Sequence, residues 1–122
     1  MRHPDGPDTF SASLRFSDGS ICTLGYFANG DPGLGKERIE VFADGRAAIL
    51  DDFQRLETWQ NGRRRRSRRL SQDKGFDAEI EAFLVALRDG GPMPISWSGQ
   101  VTTTRATFAI EESLRTGEVV RL

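Results

Sequence analysis

The stretch Glu37–Leu50, ERIEVFADGRAAIL, is the one from which the rest of the chain can be read. Two short runs, Arg38–Phe42 and Ala47–Leu50, flank Ala43-Asp44-Gly45-Arg46. Asp-Gly between two apolar runs is a strong hairpin signal, because a tight primed turn needs positive φ at both central residues. In the first run Ile39 and Val41 point one way, while Arg38, Glu40 and Phe42 point the other. The stretch reads as the central hairpin of an antiparallel sheet, and strands are legible on both sides of it.

Upstream, Thr9–Phe16 alternates Phe10, Ala12, Leu14 and Phe16 with Thr9, Ser11, Ser13 and Arg15, the pattern of a strand half buried and half wet. Ser17-Asp18-Gly19-Ser20 supplies a second turn, and Ile21–Phe27 returns with apolar residues on both faces, so this strand is expected deeper than the first. Downstream, a break at Asp51-Asp52 precedes Phe53–Gln60, and Asn61-Gly62 turns the chain into a returning strand over Arg63–Leu70. Three two-residue turns imply an antiparallel meander of five or six strands. The period then changes. Phe76, Ile80, Phe83, Leu84 and Leu87 lie on one face of a helix over Phe76–Gly90, with acids in its first turns and Gly90-Gly91-Pro92 as its stop. A second helix is expected over Gly99–Thr116, capped by Ser98 and ended by Gly117, and Val119–Leu122 is read as a short terminal strand or extension. Strands followed by helices define an α+β class, here an open, mainly antiparallel sheet with the two helices packed on one face.

The chain has 122 residues, enough for one domain with a core of its own. Residues 1–8, rich in proline, glycine and aspartate, read as a lead-in, and 9–122 as a single α+β domain. No apolar run reaches the roughly 20 residues of a membrane span, and the first residues lack the pattern of a secretory signal. One cysteine, Cys22, forms no internal disulfide and points to a reducing cytoplasm; with a single histidine, His3, it also rules out a Cys/His zinc site within one chain.

Net charge is −1, unevenly spread. Arginine fills six of the seven positions from Arg63 to Arg69, and without them eleven basic residues face eighteen acidic ones. The run could meet nucleic-acid phosphates, guard a sheet edge against aggregation, or reach acidic groups of a partner. No aromatic lies among the arginines to stack bases and the rest of the chain is acidic, so nucleic acid is not the expected partner.

Gly30-Asp31-Pro32-Gly33-Leu34-Gly35-Lys36 matches the first seven positions of the phosphate-binding loop G-x-x-x-x-G-K. That chemistry needs a following Ser or Thr for magnesium and a helix facing the phosphates. Here Glu37 and a strand follow, so an inter-strand loop is expected. Glu111-Glu112 and Asp51-Asp52 are neighbours whose side chains diverge, and neither makes an acid/base couple. Cys22 reads as a small core residue. No catalytic, cofactor-binding or metal-ligating residue is assigned.

Four stretches carry a family resemblance: DTFSASLRFSDGSICTLGY, ERIEVFADGRAAILDDFQRLE, QDKGFDAEIEAFLVALRDGGPMPI and TRATFAIEESLRTGEVV. In order and spacing they resemble the C-terminal domain of the glucose-fructose oxidoreductase / inositol dehydrogenase (Gfo/Idh/MocA) family. The first is similar to its strand–Asp-Gly–strand opening, the second to its central hairpin, and the last two to its closing helix pair. DDFQRLE and QDKGFDAEI further resemble a branch fused to a zinc-alcohol-dehydrogenase-like module. The resemblance implies an open sheet with helices on one face, and an upstream Rossmann domain that binds NAD or NADP and carries a catalytic lysine in a Glu-Lys-Pro segment. The matching region contains neither that segment nor the family's Asp-x-x-x-His pair, so no catalytic residue is carried over and this domain is expected to bind no cofactor. It is expected to be the substrate-side and assembly part of a dehydrogenase. The alternative is a self-standing protein-interaction module, and whether Met1 is a native start would separate the two. A sheet face left apolar on one side points to a homodimer packed through that face, with Tyr26 and Phe42 at the interface.

Overall fold

The computed structural model describes residues 8–122. The lead-in expected over 1–8, and with it His3, falls almost wholly outside the described residues. The described residues form six strands and two helices in order: β1 (Thr9–Arg15), β2 (Ile21–Phe27), β3 (Arg38–Ala43), β4 (Arg46–Asp51), β5 (Arg55–Gln60), β6 (Arg63–Arg68), α1 (Phe76–Asp89) and α2 (Trp97–Thr116). The class is α+β, with open antiparallel sheets. The strands divide between two sheets: β1 pairs with β2, and β3-β4-β5-β6 form a four-stranded meander. The chain sorts into two compact units, one holding β1 and β2 with Glu81–Leu122, the other Gly30–Ile80.

In the four-stranded unit the turns dictate the register. Asp44 (φ 49°) and Gly45 (φ 69°) join β3 to β4, and Asn61 (φ 51°) with Gly62 (φ 69°) joins β5 to β6. Positive φ at both central positions is the primed turn whose twist matches the strands it joins. Between β4 and β5 the chain turns through Asp52 (φ 51°) and Phe53 (φ 52°), closed by the Gln54 amide donating to the Asp51 carbonyl at 3.0 Å. Phe53, expected to begin β5, therefore lies in the turn. Half-buried positions concentrate in the central strands, over Ala47–Asp51 of β4 and Glu57–Trp59 of β5.

The other unit departs further from expectation. The Asp18-Gly19 turn is a three-residue loop: the Phe16 amide donates to the Ser20 carbonyl at 2.9 Å and the Gly19 amide to the Phe16 carbonyl at 3.0 Å, with only Gly19 at positive φ. Asp18 accepts from both the amide and the hydroxyl of Ser20, which favours this loop over a two-residue turn. β2, expected to be the deeper strand, is exposed along its whole length, whereas β1 alternates. Among the described residues its only strand partner is β1, and apolar side chains on both faces of a strand bury it only when layers cover both. Cys22, expected in the core, is accordingly exposed.

The stripe expected on α1 is present and open to solvent, at Phe76, Ile80, Phe83, Leu84 and Leu87; Ala86 is the only buried apolar residue among those described. Asp77 and Glu79 occupy its first turn and Arg88 its last, complementing the helix dipole. α2 begins two residues earlier than expected, and its N-cap is Ser96 rather than Ser98, accepting from the Gly99 amide at 3.1 Å. Gly117 (φ 77°) ends it, and residues 119–122 form no strand.

Candidate functional site: an arginine-edged sheet

The register of the four-stranded sheet assigns its side chains to two faces. Pairing runs Ile39↔Leu50↔Leu56↔Ser67, Val41↔Ala48↔Thr58↔Arg65 and Ala43↔Arg46↔Gln60↔Arg63 on one, and Arg38↔Asp51↔Arg55↔Arg68, Glu40↔Ile49↔Glu57↔Arg66 and Phe42↔Ala47↔Trp59↔Arg64 on the other. Strand alternation thus splits the arginine run. Arg64 and Arg66 fall on the Trp59 face, and both ion-pair with Glu57, Arg66 through Nε at 3.0 Å. The Arg64 guanidinium also lies 5.2 Å from the centre of the Trp59 ring, within the range of cation–π attraction. Hydrogen bonding from Arg64, helped by the charge of Arg66, holds the Glu57 carboxyl below its ordinary value of 4.5. On the same face Arg38 pairs with Glu40, and Arg55 with Asp51.

The opposite face is built differently. Its strand positions carry Arg46, Arg63 and Arg65 and no carboxylate. None of the three forms an ion pair among the described residues. They border an open groove of about 850 Å³ floored by Val41, Ala43, Ala48 and Thr58, with Asp44 at its turn end. Small side chains make this floor shallow. Arginines on the Trp59 face have carboxylates among them, whereas the strand positions of the groove face offer none.

Phe42, expected at an interface, stands on the Trp59 face, 72% exposed. Tyr26, the other expected interface residue, belongs to the two-stranded sheet. It sits opposite Phe10 with ring centroids 5.6 Å apart, and is 54% exposed. The two lie in separate sheets and are not brought together by strand pairing.

The glycine-rich loop leads into β3, as its sequence implied. Its amides are taken up internally: Gly33 donates to the Asp31 carboxylate at 2.7 Å, and Lys36 to the Asp52 carboxylate at 3.1 Å. A phosphate cradle requires such N–H groups to be free and convergent. Glu37, in the position of the magnesium-binding hydroxyl, ion-pairs with Lys74, whose ammonium also lies 5.8 Å from the Phe53 ring centre. Neither this pair nor the Glu57 cluster was anticipated from sequence. The signal for the second was available, since a two-residue turn at Asn61-Gly62 places Trp59 opposite Arg64 and Glu57 opposite Arg66.

Among the described residues, no group of three His, Cys, Asp or Glu side chains is arranged to hold a metal ion, and no helix is long and apolar enough to cross a membrane. No family model, no curated protein and no solved structure matches this chain.

Proposed function

We propose that the chain is the C-terminal substrate-side and oligomerisation domain of an NAD(P)-dependent oxidoreductase of the Gfo/Idh/MocA type, working in the cytoplasm and catalytically inert by itself. One observation carries the reading: hairpin, central hairpin and helix pair follow one another in the family's order, within the four quoted stretches. The exposed apolar residues of the sheets, Phe42 and Tyr26 among them, support an assembly role, because open sheet surface of this kind is commonly covered by another subunit or domain. On this reading NAD or NADP binds to an upstream Rossmann domain and this domain holds no cofactor. Its partners are a second copy, that upstream domain and no nucleic acid. The alternative, a self-standing interaction module, is supported by the guanidinium groups beside the groove that form no ion pair among the described residues.

Isothermal titration of the chain with NAD and NADP tests the assignment of cofactor binding elsewhere. The expected result is no saturable binding tighter than about 100 μM. Tighter binding defeats the inert-domain reading. The reading frame upstream of Met1 separates the two proposals: a strand followed by G-x-G-x-x-G favours the oxidoreductase, and a native start at Met1 favours the module.

A further inference from the structure

β6 occupies the outer place in the four-stranded order, and among the described residues no further strand pairs with it. A free edge offers a row of backbone donors and acceptors to any extended chain of suitable side-chain chemistry. The side chains here are specific. On the Trp59 face Arg64 and Arg66 both ion-pair with Glu57, whereas Arg63 and Arg65 on the groove face form no ion pair among the described residues. A second β6 is a poor occupant, since arginine would oppose arginine, and like charges directly across a ladder destabilise it. An acidic strand is a good one. Alternate residues of an extended chain repeat about every 6.8 Å, the same period that separates Arg63 from Arg65, so successive carboxylates can meet successive guanidiniums. The apolar floor beside them weakens solvent screening of those pairs.

We propose that the β6 edge is a docking site for an extended acidic segment of a partner protein, which adds as a fifth strand with carboxylates at alternate positions against Arg63 and Arg65. The groove-face arginines then select charge, and the backbone ladder supplies the pairing. Arg46, in the same row as Arg63, raises the local potential without being required for contact. This inference is independent of the oxidoreductase assignment and holds for either reading of the chain.

The test is fluorescence anisotropy of the full chain with a fluorescein-labelled peptide of about ten residues alternating glutamate and threonine, a typical strand length or somewhat more. Binding is expected. Replacing Arg63 and Arg65 together by serine is expected to weaken it about tenfold or more, and replacing Arg64 and Arg66 together to weaken it less than about threefold, because those two are already engaged by Glu57. A peptide of the same sequence with alternate amides N-methylated keeps its charge but cannot form the ladder, and is expected not to bind wild-type protein. That comparison stands even if a serine variant fails to fold. The proposal is overturned by equal affinity for the N-methylated peptide, by equal losses in the two arginine pairs, by a single-stranded oligonucleotide of matching charge binding as tightly as the peptide, or by no peptide binding at all.

Discussion

Glu57 is the residue on which two ion pairs of the four-stranded sheet converge. It joins Arg64 and Arg66 of the next strand, and Arg64 in turn covers Trp59. Because its folded pKa lies below the ordinary 4.5, the ionised carboxylate is favoured by folding. The resulting stability is fully present above the ordinary value and is lost as pH falls from there through the lower folded value. Trp59 fluorescence, read in a Trp97→Phe background, is therefore expected to change with a midpoint below 4.5, and the change is expected to vanish in Glu57→Gln. A midpoint above 4.5 would contradict the assignment. At this scale sequence reasoning reached half-way. Period-two alternation puts Glu57 and Trp59 on one side of β5, but the partners appear only when the Asn61-Gly62 turn is used to count across to β6. Cys22 was misplaced for a different reason: alternation says which way a side chain points, and only another layer decides whether that direction is covered.

The elements themselves were the most legible part, because their causes are local. Asp44-Gly45 and Asn61-Gly62 announced two primed turns, and apolar spacing from Phe76 announced α1. At the start of α2 two residues compete for one role. Ser96 and Ser98 both precede a helical pattern, and only Ser96 has an extended backbone (φ −65°, ψ 148°) with its side chain on the Gly99 amide. Ser96→Ala is expected to lower stability by about 1 kcal/mol, and Ser98→Ala by less than half as much, measured by urea denaturation. At the primed turns, Gly45→Val and Gly62→Val would force a β-branched residue to positive φ, at a cost of roughly 1–3 kcal/mol each by the same measurement.

For the whole molecule, strand order and class were readable, while the division into sheets of two and four strands was not. Residues 29–35 read as a glycine-rich inter-strand loop, and no local pattern states which strands lie beside each other across it. A two-stranded sheet is marginal in water unless something covers it, and the open apolar positions of both sheets ask for the same remedy. The chain is accordingly expected to sediment as a homodimer at tens of micromolar, burying on the order of 1,500 Å² or more in total. Phe42→Asp or Tyr26→Asp is expected to yield monomers of unchanged circular dichroism, and a monomeric wild-type chain at that concentration would refute the interface. The strictly sequential order β3-β4-β5-β6 bears on the birth of the protein as well as its final form. Each strand finds its partner in the residues just made, across a turn of two or three residues, so little chain entropy is lost at each closure. The meander can therefore zip together hairpin by hairpin as it leaves the ribosome, before α1 and α2 have emerged.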